Sequence, residues 1–251
     1  MIAAVRLAAC AALALAPLAA AYAQTPAATI DSAAPEPGAD SDDIVVVGDN
    51  GESYRLTADA LRDAARAYSA NRARFAPASR LLFAVEAANG GSLDGIAIYL
   101  RAKRRGADGE RAIVDLPLDA DNRISLPIDL VASGDWDLAA NRSRGGIRIR
   151  PLVLTPPSTL TDRRFGDLRL QCRVSLAFAR LSLPIRMLAG AIGPCGSSRV
   201  ALYARAPQPV AGVAISGYGQ PIDIRPDGLA FRVPLHDAAI GNDARLRVTY
   251  R

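Results

Sequence analysis

Most of the chain after residue 80 consists of short apolar runs separated by Gly, Pro, Asn and Asp, which limits the length of any one element. Short runs of this kind with frequent turn residues are typical of β-strands, and a succession of them indicates a β-sandwich or a small closed sheet. We therefore predict an α+β protein that is predominantly β. The predicted strands cover residues 81–87, 96–100, 112–116, 124–128, 147–154, 200–206, 213–216, 222–224, 229–233 and 246–250.

Four sequence blocks occur twice in the same order. The pairs are 79–88 (SRLLFAVEAA) with 198–207 (SRVALYARAP), 94–98 with 211–215, 119–129 with 225–237, and 146–153 with 244–250. A repeated block order predicts two tandem related units, each a helix followed by a small sandwich-like sheet, over residues 54–160 and 161–251. Glu86 and Arg205 take equivalent places and predict the solvent side of their strands. The opposite faces, Leu81/Phe83/Val85 and Val200/Leu202/Ala204, are predicted to be buried.

Two segments carry helical signals. Residues 56–75 place Leu61, Ala64, Ala65 and Tyr68 at helical spacing, with Thr57 as a plausible N-cap. Residues 168–183 alternate as a strand would, yet are long for one strand and rich in helix formers. Because a helix precedes the first predicted sheet, the duplication favours a helix here, while a strand stays the alternative.

The N-terminal sequence has the pattern of an export signal. Arg6 precedes the apolar residues 7–21, and the small residues Ala21 and Ala23 fit a cleavage site after Ala23. We expect a signal peptide over residues 1–23 and a periplasmic or secreted chain without a transmembrane span after cleavage. Cys10 ends a lipoprotein-like box, but most of the apolar stretch follows it, so Cys10 is expected to be removed with the signal.

Two cysteines remain after cleavage, Cys172 and Cys195. In an oxidising compartment such a pair most often forms a disulfide. Tetrahedral zinc needs four ligands, and His236 is the only histidine of the sequence. We therefore predict a disulfide, no metal site and no cofactor.

Residues 24–53 form an acidic tail with seven Asp or Glu and no Lys or Arg. Their Pro, Ala, Asp and Ser content predicts a disordered linker that holds one short β segment at residues 43–48. The β-branched residues of that segment, Ile44, Val45, Val46 and Val47, could dock on the edge of a partner's sheet or of the chain's own sheet, or could simply order the start of the domain. The segment resembles the short "DIVVTG"-like stretch near the mature N-terminus of bacterial TonB-dependent receptors, with Val47 where that pattern has Thr. The resemblance implies capture by strand addition.

The part of the chain after the tail is strongly basic, because the whole chain has a net charge of +5 even though the tail contributes only acidic residues. Five basic residues gather in one predicted hairpin: Arg101, Lys103, Arg104, Arg105 and Arg111. They are a candidate site for an anionic lipid headgroup, an acidic glycan or an acidic protein face, and the alternative is a solubilising loop. Export and the lack of interleaved aromatic residues argue against nucleic acid.

The sequence contains no complete catalytic motif of a known type. His236 follows a predicted strand, and the sequence contains no G-x-S-x-G elbow. Glu86 and Glu110 make a poor glycosidase pair, and residues 119–123 lack the glycine and the downstream glutamate of a calcium loop. We therefore expect a non-enzymatic binding or scaffold protein whose partner is an envelope protein or an anionic envelope component. The alternative is a periplasmic hydrolase that uses His236 with a nearby Asp.

Overall fold

The computed structural model describes residues 53–143, 145–179, 193–198 and 202–251. The predicted signal peptide, nearly all of the acidic tail with Ile44–Val47, and Val200 lie outside the described residues, as do residues 180–183 of the second predicted helix. Each of these predictions therefore stays a prediction.

The described chain contains three α-helices and twelve strands. The helices are α1 (Ala58–Phe75), α2 (Ile128–Ser133) and α3 (Phe165–Phe178). The strands are β1 (Ser53–Leu56), β2 (Arg80–Ala87), β3 (Ile98–Ala102), β4 (Ile113–Asp115), β5 (Arg123–Ser125), β6 (Trp136–Ser143), β7 (Ile147–Leu154), β8 (Asp162–Arg164), β9 (Tyr203–Arg205), β10 (Val210–Ile215), β11 (Ala230–Arg232) and β12 (Arg245–Tyr250).

The strands form small antiparallel sheets. Their orders are β1-β6-β3-β4, β5-β2-β7, β10-β12-β8 and β11-β9. The architecture is thus α+β and predominantly β, as the short apolar runs predict. In β10-β12-β8, strand β8 precedes α3 in the chain and strands β10 and β12 follow it, so the two flanks of α3 are joined by backbone hydrogen bonds.

The first hydrophobic core lies between α1 and the sheets that contain β2 and β3. On β2, Leu81, Phe83 and Val85 are buried while Glu86 is exposed, which confirms the predicted alternation. The apolar stripe of α1 faces the same core, so the predicted helix is confirmed with its start shifted from residue 56 to Ala58. Leu56 belongs to β1 instead.

The second hydrophobic core is built from strands β9 to β12 and the loops between them. Phe231 and Leu246 are its buried members on β11 and β12. Leu202 and Ala204 pack against this core while Arg205 is exposed, so the predicted inner face of the strand is confirmed, although both side chains are half-buried rather than buried.

Helix α3 belongs to both cores. Leu170 and Val174 are buried in the first core, whereas Phe165 and Leu168 are buried in the second. The helical prediction for this segment is confirmed over the described residues. Because α3 contacts α1 and β7 as well as β8, it connects the two halves of the body through apolar packing.

The predicted disulfide between Cys172 and Cys195 is present, with the two Cα atoms 5.9 Å apart. It joins α3 to the single helical turn Pro194–Gly196. Closing a chain loop of this length stabilises a fold by roughly 3 kcal/mol in the chain-entropy account.

A buried polar network fixes the start of α3. The carboxylate of Asp167 accepts hydrogen bonds from the Thr155 backbone N–H (2.8 Å) and hydroxyl (2.6 Å). The buried guanidinium of Arg163 donates to the Val153 carbonyl (2.8 Å) and to Gln171 Oε1 (2.6 Å). Burial lowers the pKa of Arg163 to about 10, against the opposing effect of the Asp167 carboxylate. The network therefore ties the end of β7 and β8 to α3.

Several elements differ from the sequence prediction, among them the predicted strand 222–224, of which only an isolated bridge between Ile224 and Phe231 is present. Trp136 starts the internal strand β6, in a region where no strand was predicted, and residues 126–128 of the predicted strand 124–128 leave the sheet so that α2 begins at Ile128. Strand β6 was missed because four consecutive residues from Asp137 are buried, so its burial does not alternate and its Ala-rich sequence lacks β-branched residues. The short strands β1 and β8 were missed as well, because each has too few residues to show a period.

Gly166 is required where α1 and α3 meet. A Cβ atom at this position would lie 2.1 Å from the carbonyl oxygen of Phe75, the last residue of α1. The Gly166 N–H also donates to the Asn242 carbonyl (2.8 Å), so the backbone has little room to move.

We predict that Gly166→Ala destabilises the protein by about 1–3 kcal/mol, because overpacking against a fixed backbone outweighs the helix propensity gained. Urea unfolding followed by circular dichroism measures the difference. Gly219→Ala is the matched control, since a Cβ there has no heavy atom within 4 Å. Equal unfolding midpoints for the two variants would contradict the close approach of α1 and α3.

Candidate anion-binding site

The predicted basic hairpin is formed by β3 and β4, which pair with Arg101 opposite Ile113. Its loop is ordered by local hydrogen bonds. The Gly106 N–H donates to the Glu110 carbonyl (2.6 Å), and Arg105 Nη1 donates to the carbonyl of Gly109 (2.7 Å). Gly109 has φ +83°, a conformation that favours glycine.

The five predicted basic residues occupy two levels of this hairpin. Lys103, Arg104 and Arg105 are exposed on the loop, whereas Arg101 and Arg111 are half-buried at its base. The Nε atom of Arg111 is buried without a hydrogen-bond partner among the described residues. The loop therefore presents three cations to solvent.

Strand β6 positions the residues beside the hairpin. It pairs with β3 from Ile98↔Ala140 to Ala102↔Trp136, and the Lys103 N–H donates to the Asp135 carbonyl (2.8 Å). The start of β6 is thus held directly against the first residue of the loop.

Asp137, the second residue of β6, fixes this strand to the start of α1. Its buried carboxylate accepts hydrogen bonds from Arg55 and, at 2.9 Å, from the backbone N–H of Ala58. Ala58 is the first residue of α1, and the side chain of the N-cap residue Thr57 makes no capping hydrogen bond. Asp137 therefore supplies from a distant strand the acceptor that a helix N-terminus needs.

A pocket of about 410 Å³ lies between α1, the hairpin and the start of β6. Its lining residues are Arg62, Ala102, Arg104, Gly134, Asp135 and Trp136. A Cβ atom on Gly134 would lie 2.6 Å from both Cδ1 and Nε1 of the Trp136 indole. The indole edge therefore rests against Gly134, while part of the ring packs on the first core.

Asp135 lies between the two arginines of this pocket. Its carboxylate is 3.6 Å from Arg62 Nη1 and 3.9 Å from Arg104 Nη2. The Arg104 side chain is 89% exposed, and its guanidinium makes no hydrogen bond to the described residues. Arg62 is 28% exposed and also pairs with Asp59. The pocket thus holds two cations, one anion and an aromatic ring.

Sequence reasoning identified the basic loop but missed Arg62, Gly134, Asp135 and Trp136. Trp136 lies outside the predicted strands, and Arg62 lies on a helix more than seventy residues before it, so only the strand pairing brings them together. The one available signal was the compact sequence Gly-Asp-Trp-Asp, which contains the only tryptophan of the chain.

A second cavity, of about 260 Å³, lies between α3 and the sheet formed by β9 and β11. Leu168, Leu176, Leu202, Val233 and Leu235 supply most of its apolar wall, and the disulfide-bonded Cys172 also lines it. The cavity has few polar groups and no charged side chain among its lining residues.

His236 lies on the turn from Pro234 to Asp237, which the Asp237 N–H closes on the Pro234 carbonyl (3.1 Å). The Asp237 carboxylate accepts from the Ala239 N–H (2.9 Å) rather than from the imidazole. Within the described residues the His236 side chain has no hydrogen-bond partner, so the structure assembles no nucleophile-base pair around it. The hydrolase hypothesis stays a hypothesis without a geometric observation in its favour.

In the described part of the chain, no group of three His, Cys, Asp or Glu residues is placed to hold a metal ion. None of the helices in the described ranges combines the length and the apolar character that a membrane crossing requires.

Comparison with known proteins gives no match: no family model, curated protein or solved structure is similar to this chain. The function is therefore argued from the residues of the pocket and the hairpin alone.

We predict that Asp137→Asn destabilises the protein by about 2 kcal/mol, the usual range for hydrogen bonds to a buried charged group. An amide keeps one acceptor but places its NH₂ group against Arg55 or the Ala58 N–H, both of which are donors. Thermal or urea unfolding measures the loss. Asp115→Asn, an exposed position on β4 of the same sheet, is the control, and a similar small effect in both variants would contradict the capping role.

Proposed function

We propose that this protein is an exported, non-enzymatic binding protein that holds an anionic component of the cell envelope through the β3–β4 hairpin. The observation that carries the proposal is the placement of Lys103, Arg104 and Arg105 on one ordered loop directly beside a pocket with Arg62 and Trp136. Exposed cations on a pre-ordered loop attract anions at long range and lose little conformational entropy on binding.

Two features support the placement outside the cytoplasm. The two cysteines expected to remain after cleavage are paired in the structure, as is usual in an oxidising compartment. Residues 1–23 have the charge and apolar pattern of a signal peptide. Analysis of the N-terminus of the protein recovered from an export-competent host would give Gln24 as the first residue if the predicted cleavage is correct.

We also infer that the body consists of two related units. The β2·β5 and β9·β11 pairs are both antiparallel, but their registers differ by two residues: Val85 donates to Asn122, whereas Ala206, two residues after the position equivalent to Val85, donates to Leu229. The closing strands differ, because β7 pairs with β2 whereas β12 pairs with β10. If the two units arose by duplication, the last strand of one unit has since changed the strand with which it pairs. The docking of Ile44–Val47 on a sheet edge remains a separate proposal, since those residues lie outside the described part.

The hairpin proposal predicts weaker retention on an anionic matrix when its exposed cations are neutralised. The variant Lys103→Gln/Arg104→Gln/Arg105→Gln should elute from a carboxylate-bearing column at clearly lower NaCl concentration than the wild type, because bound counterions are no longer displaced by a clustered site.

The matched control is Arg80→Gln/Arg148→Gln/Arg205→Gln, which removes three exposed arginines from β2, β7 and β9 and changes the net charge equally. The control variant should elute close to the wild type. If both triple variants shift by the same amount, retention depends on net charge alone and the hairpin is a solubilising loop.

A further inference from the structure

The pocket beside the hairpin contains groups that can recognise more of a ligand than its charge. Arg62 and Arg104 supply cations, Asp135 supplies an acceptor, and Trp136 supplies a flat apolar surface. Guanidinium groups bind carboxylates and phosphates, carboxylates accept hydrogen bonds from hydroxyl groups, and a partly exposed indole contacts the apolar face of a ring. A ligand that satisfies all three has an anionic group, hydroxyl donors and an apolar ring face.

We propose that this pocket binds one acidic sugar unit, a pyranose ring that bears a carboxylate or a phosphate. This inference rests on the proposed function, because the hairpin loop would hold the rest of the anionic component. The sugar ring lies against Trp136, its anionic group faces Arg104, and a hydroxyl donates to Asp135.

The size and the rigidity of the pocket agree with a small ligand. Its volume of about 410 Å³ lies within the range of small-molecule sites. The indole edge that carries Cδ1 and Nε1 rests against Gly134, where no side chain fits, and part of the ring packs on the first core. The start of β6 is fixed in turn by the buried carboxylate of Asp137. The aromatic surface is therefore ordered before any ligand arrives, which lowers the entropy lost on binding.

The charges of the pocket leave hydrogen-bonding capacity for a ligand. The Asp135 carboxylate is 3.6 and 3.9 Å from its two arginine partners, which is beyond hydrogen-bond distance. The guanidinium of Arg104 therefore keeps its donors, and Asp135 keeps acceptor sites, in a partly exposed setting. An anionic group would bind Arg104 without first breaking a hydrogen bond.

An acidic sugar explains these residues better than an anionic lipid surface. Membrane-surface sites combine basic residues with several exposed apolar side chains. Among the described residues the strongly exposed large apolar side chains are Ile113, Leu160 and Tyr203, and only Ile113 belongs to the hairpin.

The test uses the fluorescence of Trp136, since it is the only tryptophan and lies in the pocket. Full-length protein after export is titrated with trigalacturonate and, separately, with glucose 1-phosphate, and the uncharged methyl ester of trigalacturonate is the ligand control. We expect a saturable change in emission with at least one of the two acidic ligands and none with the methyl ester. Arg104→Gln should weaken this binding about tenfold, whereas Arg148→Gln should not change it.

Trp136→Phe, followed by calorimetry after circular dichroism has shown that the variant folds, should also lower the affinity. Arg104→Gln changes an exposed side chain and should therefore fold normally. It tests the proposal even if Trp136→Phe fails to fold. Lack of response to both acidic ligands, in protein whose retention on the anionic column depends on the hairpin, overturns the sugar inference and leaves the proposed function intact. If that retention is absent as well, both fail. A fluorescence response to phosphatidylglycerol vesicles alone would replace the sugar by a lipid surface.

Discussion

The arrangement of the whole body depends on the burial of α3 between two hydrophobic cores. The start of this helix is buried and cannot satisfy its polar groups with water, and it carries Asp167, which has no exposed surface. The hydrogen bonds from Thr155 compensate the loss of solvent at that carboxylate, and Arg163 lies close enough to oppose its charge. Because a buried carboxylate without these partners is costly, the network fixes one position of α3 relative to β7 and β8. The two cores then form on either side of a helix that is already placed.

A second buried carboxylate organises the other end of the body. Asp137 joins β6, β1 and the start of α1, three elements that are far apart in the sequence. The candidate site lies directly next to this connection, since Asp135 and Trp136 precede Asp137 and Arg62 lies one turn into α1. The buried carboxylates of Asp137 and Asp167 thus serve structure, whereas the half-exposed carboxylate of Asp135, beside the hairpin, keeps acceptor sites that face solvent. The difference follows from exposure: Asp137 is enclosed by donors, whereas Asp135 contacts arginines only at ion-pair distance.

The sequence predicts those features whose cause is local. Three such features are the helical spacing of Leu61, Ala64 and Tyr68, the alternation of Leu81, Phe83 and Val85, and the turn residues of the basic hairpin. Each depends on neighbouring residues, and the pairing of two cysteines depends on their chemistry. Strand β6 could not be predicted because its burial is caused by elements far away in the sequence: β1 and β3 pair with its two edges, and α1 packs against it. The pocket could not be predicted for the same reason, since Arg62 reaches Asp135 only after β6 has paired with β3. The sequence of the hairpin also does not decide whether it binds an anion, because a loop with the same basic residues can serve only to keep a protein soluble.

The hairpin has one further chemical property. Lys103 is the only lysine of the sequence, and its side chain is exposed on the loop. The remaining basic side chains are guanidinium groups, apart from the one imidazole, so Lys103 carries the only side-chain primary amine in the protein. An amine-reactive dye, cross-linker or solid support would thus attach, apart from the α-amino terminus, at the edge of the candidate site. A single reagent can therefore immobilise the molecule in one orientation or place a probe within reach of whatever occupies the pocket.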